Sequence, residues 1–199
     1  HSLTSTETIP MNNTAEKLDT IINGIDTSRI VDLATNMTQD ENFGKFRFRT
    51  SNRWIDGSRS CSSFKGFYAG GSERTERPVA LTMDSDQPVY LGGRNMAPNA
   101  VEHYLGSLAS CLNTTIVAHA SAQGISLGEL DISAEGHMDA RGFFGVSDDV
   151  RRGYSRIVVD IRARTSADEE TIRKLASRSP VYEMVSRAMP VEMTVTLLN

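Results

Sequence analysis

Apolar residues recur at intervals of three and four between positions 99 and 123. Val101, Tyr104, Leu105, Leu108, Leu112, Thr115 and Ile116 share one side of a helix that Gly124 stops. Asn99, three places before Glu102, predicts a capping box, and Pro98 marks the start. Two alternating stretches follow, 129–139 with Leu130, Ile132 and Ala134 inward, and 155–164 with Ile157, Val159 and Ile161 inward. They predict a hairpin whose long loop holds Gly142-Phe143-Phe144-Gly145. Ser166 with Glu169 predicts another helix, which must end before Pro180. Ser179-Pro180 reads as the cap and first residue of a short helix through Val185. Val191, Met193, Val195 and Leu197 then alternate with polar residues in a closing strand.

The first half of the chain has a different pattern. Leu18, Ile21, Ile22 and Ile25, then Ile30, Leu33 and Met37, predict one or two short helices broken near Gly24. From Lys45 the period becomes two, with Lys45, Arg47, Arg49 and Arg53 on one side and Phe46, Phe48 and Trp54 on the other. This predicts a strand with one wet face and an aromatic face in the core. A turn at Asp56-Gly57, a segment through Phe64, Phe67 and Tyr68, a break at Gly70-Gly71 and a strand over 79–83 extend it to an antiparallel meander. The order of meander, long helix, hairpin, two helices and strand indicates an α+β fold.

Charge sharpens the division. Residues 1–43 hold seven acids and two bases, whereas residues 44–78 hold eight bases and three acids. We read 1–43 as an appended helical arm that covers a sheet edge or extends a dimer contact, and 44–199 as the main domain. The whole chain of 199 residues carries a net charge of −4 and 39% hydrophobic residues, which fits one domain with a real core and argues against nucleic-acid binding. The basic segment remains the third and weakest functional reading, because it can pair with the acidic leader. No apolar leader and no stretch long enough to cross a bilayer is present, so a soluble cytoplasmic protein is expected. Two cysteines 50 positions apart, Cys61 and Cys111, fit free thiols in a reducing compartment.

Candidate chemistry is sparse. His103, His119 and His137 offer no zinc spacing, the glycine pairs at 70–71 and 92–93 lack a phosphate-loop pattern, and Gly106-Ser107-Leu108-Ala109-Ser110 is no nucleophile elbow. No metal and no cofactor is expected. Cys111 remains, in the long helix, where a cysteine is either a small core residue or a nucleophile. Nucleophilic use requires the thiolate, and no charge lies a turn away, so the cation must come from another segment or another subunit. Glu102 lies nine residues earlier, about opposite on the helix and ~13 Å along it. It either orients an arginine or only closes the capping box.

Leu91-Gly92-Gly93, Ala97-Pro98-Asn99-Ala100-Val101-Glu102 and Leu105 through Leu108-Ala109-Ser110-Cys111 resemble the long-helix motif of OsmC-like (OsmC/Ohr) proteins. Ser179-Pro180-Val181-Tyr182 and Pro190-Val191-Glu192 resemble that family's second motif, and the likeness spans roughly 45–198. The resemblance implies antiparallel sheets packed on a long central helix in an intertwined homodimer with two interfacial sites. It also implies reduction of organic hydroperoxides and peroxide by a reactive cysteine, a resolving cysteine and an arginine held by a glutamate. Cys111 matches the reactive cysteine and Glu102 the glutamate, but Ser179 occupies the resolving position. Turnover would then need an external thiol, or Cys61 if the fold brings it near. Gln87-Pro88-Val89-Tyr90-Leu91 stands where the arginine often lies, which leaves Arg94, Arg47, Arg49 and Arg53 as substitutes. The competing expectation is a non-catalytic relative that binds a small apolar ligand at the dimer interface, with Cys111 a buried small residue.

Overall fold

In the computed structural model, which describes residues 21–199, the chain opens with the two-residue strands β1 (Ile21–Ile22) and β2 (Ile25–Asp26) and the helix α1 (Thr27–Gln39). Five short strands follow: β3 (Ser51–Asp56), β4 (Arg59–Phe64), β5 (Phe67–Ala69), β6 (Ser72–Arg74) and β7 (Leu81–Ser85). The second half runs α2 (Ala100–Ala122), β8 (Leu127–His137), the one-turn α3 (Ala140–Phe143), β9 (Arg156–Thr165), α4 (Glu169–Ala176), α5 (Pro180–Ala188) and β10 (Val191–Leu197). The α+β class expected from the pattern is the one observed.

The core lies in the second half. Strands β8 and β9 pair antiparallel, and the α4–α5 crossover returns β10 parallel to β9 in the order β10-β9-β8. Ile157, Val159, Ile161 and Ala163 of β9 point into the core with Leu108, Leu112, Ile116 and Ala120 of α2, while α4 and α5 add Ile172, Leu175, Ala176 and Val185. Burying each large side chain among these contributes about 1.5–3 kcal/mol, so this contact fixes α2 against the sheet. Asn99 Oδ1 accepts from the Glu102 amide at 3.0 Å, and the Asn99 amide donates to Glu102 Oε2 at 2.8 Å, completing the expected capping box.

The first half departs from expectation in three places. Ile21 to Asp26 forms a hairpin around Asn23-Gly24, both at positive φ, rather than a helix. Asn23 is the reason, since its side chain donates to Ser121 Oγ and the Ile125 carbonyl and accepts from the Leu127 amide. Leu18 lies outside the described residues. The segment from Lys45 is extended but joins the sheets only through a bridge of Arg47 to Tyr68, and regular pairing begins at Ser51. Its aromatic face is not core: Phe48 is 73% and Trp54 70% exposed, because no residue of β3, β4 or β7 is buried in the single chain. Phe46, Phe48 and Phe67 instead stack in a row.

Smaller corrections concern boundaries. Asp168, not Ser166, caps α4, because its carboxylate accepts from the Thr171 amide at 2.8 Å. The strand expected over 79–83 starts at Leu81, and the helix expected through Val185 continues to Ala188. The turns at Gly57 and Gly70-Gly71 close two hairpins with positive φ.

The link between β7 and α2 is built on one carboxylate. Asp86, 1% exposed, accepts from Ser58 Oγ at 2.6 Å and from the amides of Gln87, Arg94 and Met96 at 2.8, 3.1 and 3.1 Å. A Cβ at Gly93 would fall 1.9 Å from the Gln87 carbonyl oxygen, so only glycine lets the loop close. The Ser58 hydroxyl, then the Met96, Gln87 and Arg94 amides, hold the Asp86 carboxyl down to about 2 from 3.8, against the opposing effect of burial.

Asp86→Asn is expected to lower the melting temperature at pH 7 by roughly 5 °C or more. A depressed carboxyl stabilises the fold fully above its unfolded value near 3.8 and loses that contribution as pH falls toward about 2. Thermal unfolding of wild type and variant should therefore converge between pH 4 and 2, and a constant gap would contradict the assignment.

Candidate active site

Cys111 lies in the middle of α2, one position before the buried Leu112, so the burial of that stripe places the thiol, half-buried, at the edge of the core. The edge it meets is the start of α5. Pro180 at the first helical position fixes the entry of α5, and Ser179 Oγ caps it by accepting the Tyr182 amide at 3.2 Å. Ser179 is 0% exposed, and the same oxygen lies 3.1 Å from Cys111 Sγ. Two residues 68 positions apart in sequence thus share a hydrogen bond at the α2–α5 junction.

Glu102 does not reach this pair. Its carboxylate closes the capping box, and no arginine or lysine among the described residues forms an ion pair with it. Beside it, Tyr154 donates to the Val101 carbonyl at 2.9 Å, and burial, then the Glu102 charge, pushes the phenol up. The candidate arginines are also engaged elsewhere. Arg94 pairs with Asp56, Arg49 reaches Glu73 Oε1 at 3.2 Å through Nη1, and Arg47 lies over the Tyr68 ring at 4.5 Å. Arg53 stands opposite Cys61 across the β3–β4 pair.

Cys61 lies on the other sheet and forms no disulfide with Cys111. Its thiol donates to the Ser62 carbonyl at 3.7 Å, and Asp84, its cross-strand neighbour on β7, pushes the thiol up, with burial adding to the effect. His119, further along α2, is pushed down by burial and then by the Arg178 charge. Among the described residues no group of three or more His, Cys, Asp or Glu is arranged to hold a metal ion, and no helix is long and apolar enough to cross a membrane. A shallow groove of about 230 Å³ flanks α2, lined by Ala109, Ser110, Asn113, Thr114 and Ile132. It touches neither Cys111 nor Ser179.

Asp86 and Asp84 carried no signal in the sequence. The donors that hold Asp86 come from Ser58, Arg94 and Met96, a spacing set only by the loop. Chemically, the junction presents a half-buried thiol with one buried hydroxyl and no second thiol. Two-electron oxidation there yields a sulfenic acid that cannot close a disulfide with its neighbour.

The profile of the family described as OsmC-like protein matches residues 92–194. No curated protein sequence matches the chain significantly. Among solved structures, an OsmC-like protein from Mycoplasma pneumoniae is 15% identical with a TM-score of 0.59, covering 77% of this chain and 98% of that one. An organic hydroperoxide resistance protein OsmC from Legionella pneumophila is 18% identical at 0.50, covering 74% and 96%. One from Elizabethkingia anophelis is 15% identical at 0.50, covering 77% and 96%. At these identities the likeness speaks for the fold.

Because Asp84 holds the Cys61 thiol up, Asp84→Asn is expected to speed alkylation of Cys61 by iodoacetamide at pH 7 about threefold or more. Peptide mass spectrometry reads this site by site. An unchanged Cys61 rate would contradict the assignment.

Proposed function

This chain belongs to the OsmC-like protein family, and we propose that it is a thiol-dependent peroxidase that reduces organic hydroperoxides through Cys111 alone. The observation that carries this reading is the 3.1 Å contact of Cys111 Sγ with Ser179 Oγ, which joins the two motifs of the family resemblance at one point. The relatives named as organic hydroperoxide resistance proteins supply the substrate class.

In the reaction, the Cys111 thiolate attacks the distal oxygen of the hydroperoxide. The O–O bond breaks, and the alkoxide leaves as an alcohol after taking a proton. Cys111 becomes a sulfenic acid, oxidised by two electrons. An external thiol condenses with it, releasing water and leaving a mixed disulfide, and a second thiol displaces Cys111 and carries away the oxidised disulfide. The Ser179 hydroxyl cannot take the resolving step, and Cys61 lies on β4, outside the α2–α5 junction.

The working unit we propose is a homodimer. The β3-β4-β7 sheet has no buried residue, and Trp54 on β3 and Phe48 in the segment leading into it are exposed, which supports cover by a second copy. Arg94 and Arg49 pair within the chain with Asp56 and Glu73. That supports a cation for Cys111 from the second copy, with Glu102 free to orient it once its capping role is met. The arm over 1–43 is an appendage to the domain at 44–199, and its described part, from Ile21 on, docks through Asn23 on the end of α2. A reducing cytoplasm fits the two free thiols.

Consumption of cumene hydroperoxide with a dithiol reductant, measured for wild type and Cys111→Ser, tests the reading. The variant should lose on the order of 100-fold or more of the rate while staying folded. Equal rates, or no turnover with Cys111 unoxidised by mass spectrometry, would contradict it, and the second outcome favours a non-catalytic binder of a small apolar ligand.

A further inference from the structure

We propose that Ser179 is a positioning residue that stabilises the Cys111 thiolate by passing the positive end of α5 to the sulfur through its hydroxyl. This deepens the peroxidase reading and rests on it for its consequence in turnover.

A serine hydroxyl has one proton to donate and two lone pairs. One lone pair of Ser179 Oγ accepts the Tyr182 amide at 3.2 Å. That amide is in the first turn of α5, a helix of 9 residues, where unpaired N–H groups concentrate positive charge. The hydroxyl proton is left for the partner at 3.1 Å, Cys111 Sγ. With a neutral thiol the bond can run in either direction, but a thiolate has no proton, so only Ser179 can donate. Loss of the thiol proton therefore fixes the bond, and accepting from the α5 amide polarises the hydroxyl into a better donor. Ser179 is fully buried, so water does not compete for it.

Of the charged groups on the elements packed around the pair, Glu183 pairs with Arg187 on α5, Lys174 with Glu170 on α4, and Arg173 donates to the Met193 carbonyl at 2.7 Å. Arg178, next to Ser179, carries a charge that His119 of α2 feels and that both variants of the test leave in place.

The test is alkylation of Cys111 by iodoacetamide at pH 7 and pH 10, followed by peptide mass spectrometry of the full chain. Ser179→Gly removes the hydroxyl at little cost to the cap, because glycine at an N-cap is only slightly worse than serine. Ser179→Thr keeps the hydroxyl. Glycine should slow alkylation at pH 7 about fivefold or more and leave the pH 10 rate within about twofold, with threonine near wild type at both. An unchanged rate at pH 7, or an equal change at both pH values, would overturn the proposal. Hydroperoxide turnover plays no part in this readout, so a responsive thiol on a protein without peroxidase activity would sink the functional reading and leave this one standing.

Discussion

Everything at the candidate site depends on the burial of one stripe of α2. Leu108, Leu112, Ile116 and Ala120 lose all contact with water beneath β9, α4 and α5. Helical geometry then leaves Cys111 no freedom: with Leu112 pointing into the core, the preceding side chain must stand about 100° around the helix. That direction leads to the start of α5, where Ser179 is already fixed by its cap and by Pro180. The contact between thiol and hydroxyl is thus a consequence of core packing, held by far more energy than the single hydrogen bond it forms.

The two ends of α2 are secured by different means. At the N-terminus the Asn99–Glu102 box satisfies the first amides, and the Asp86 carboxylate gathers the loop that delivers the chain to it. At the C-terminus the Asn23 side chain bonds Ser121, Ile125 and Leu127, so the Ile21–Asp26 hairpin is stitched to both α2 and β8. The first-half sheet is tied to the start of α2 by polar contacts alone, His103 Nε2 at 2.9 Å from the Asp84 carbonyl and Ser58 on Asp86. Its aromatic residues are as exposed as its arginines, and the ion pairs of Arg49 and Arg94 lie within 45–94, remote in kind from the apolar packing that defines the site.

Much of this was legible in the sequence, and the rest was not for identifiable reasons. The long helix, its capping box, the Ser179-Pro180 start and the closing strand follow from local signals that tertiary packing merely reinforced. The two motifs of the family resemblance named both partners of the thiol contact. Local pattern failed where a distant group overrode it. The Ile21 segment has helical spacing, but Asn23 finds its partners about 100 residues away and turns the chain into a hairpin. The alternation from Phe46 put Phe46 and Phe48 together, and they do stack, but alternation alone does not say whether a face has anything to pack against. The parallel return of β10 and the knot around Asp86 both rest on pairings that no spacing rule encodes.

The central claim is that Ser179 and Cys111 touch in the folded protein. Its most direct test is the Ser179→Cys, Cys61→Ser double variant, oxidised mildly in the folded state and mapped by non-reducing peptide mass spectrometry. Disulfide bonding demands Cβ atoms about 4 Å apart, a requirement the 3.1 Å contact is expected to meet. The account predicts a rapid intramolecular crosslink between the introduced thiol and Cys111. Two thiols that stay free, or that link only between molecules, would contradict it.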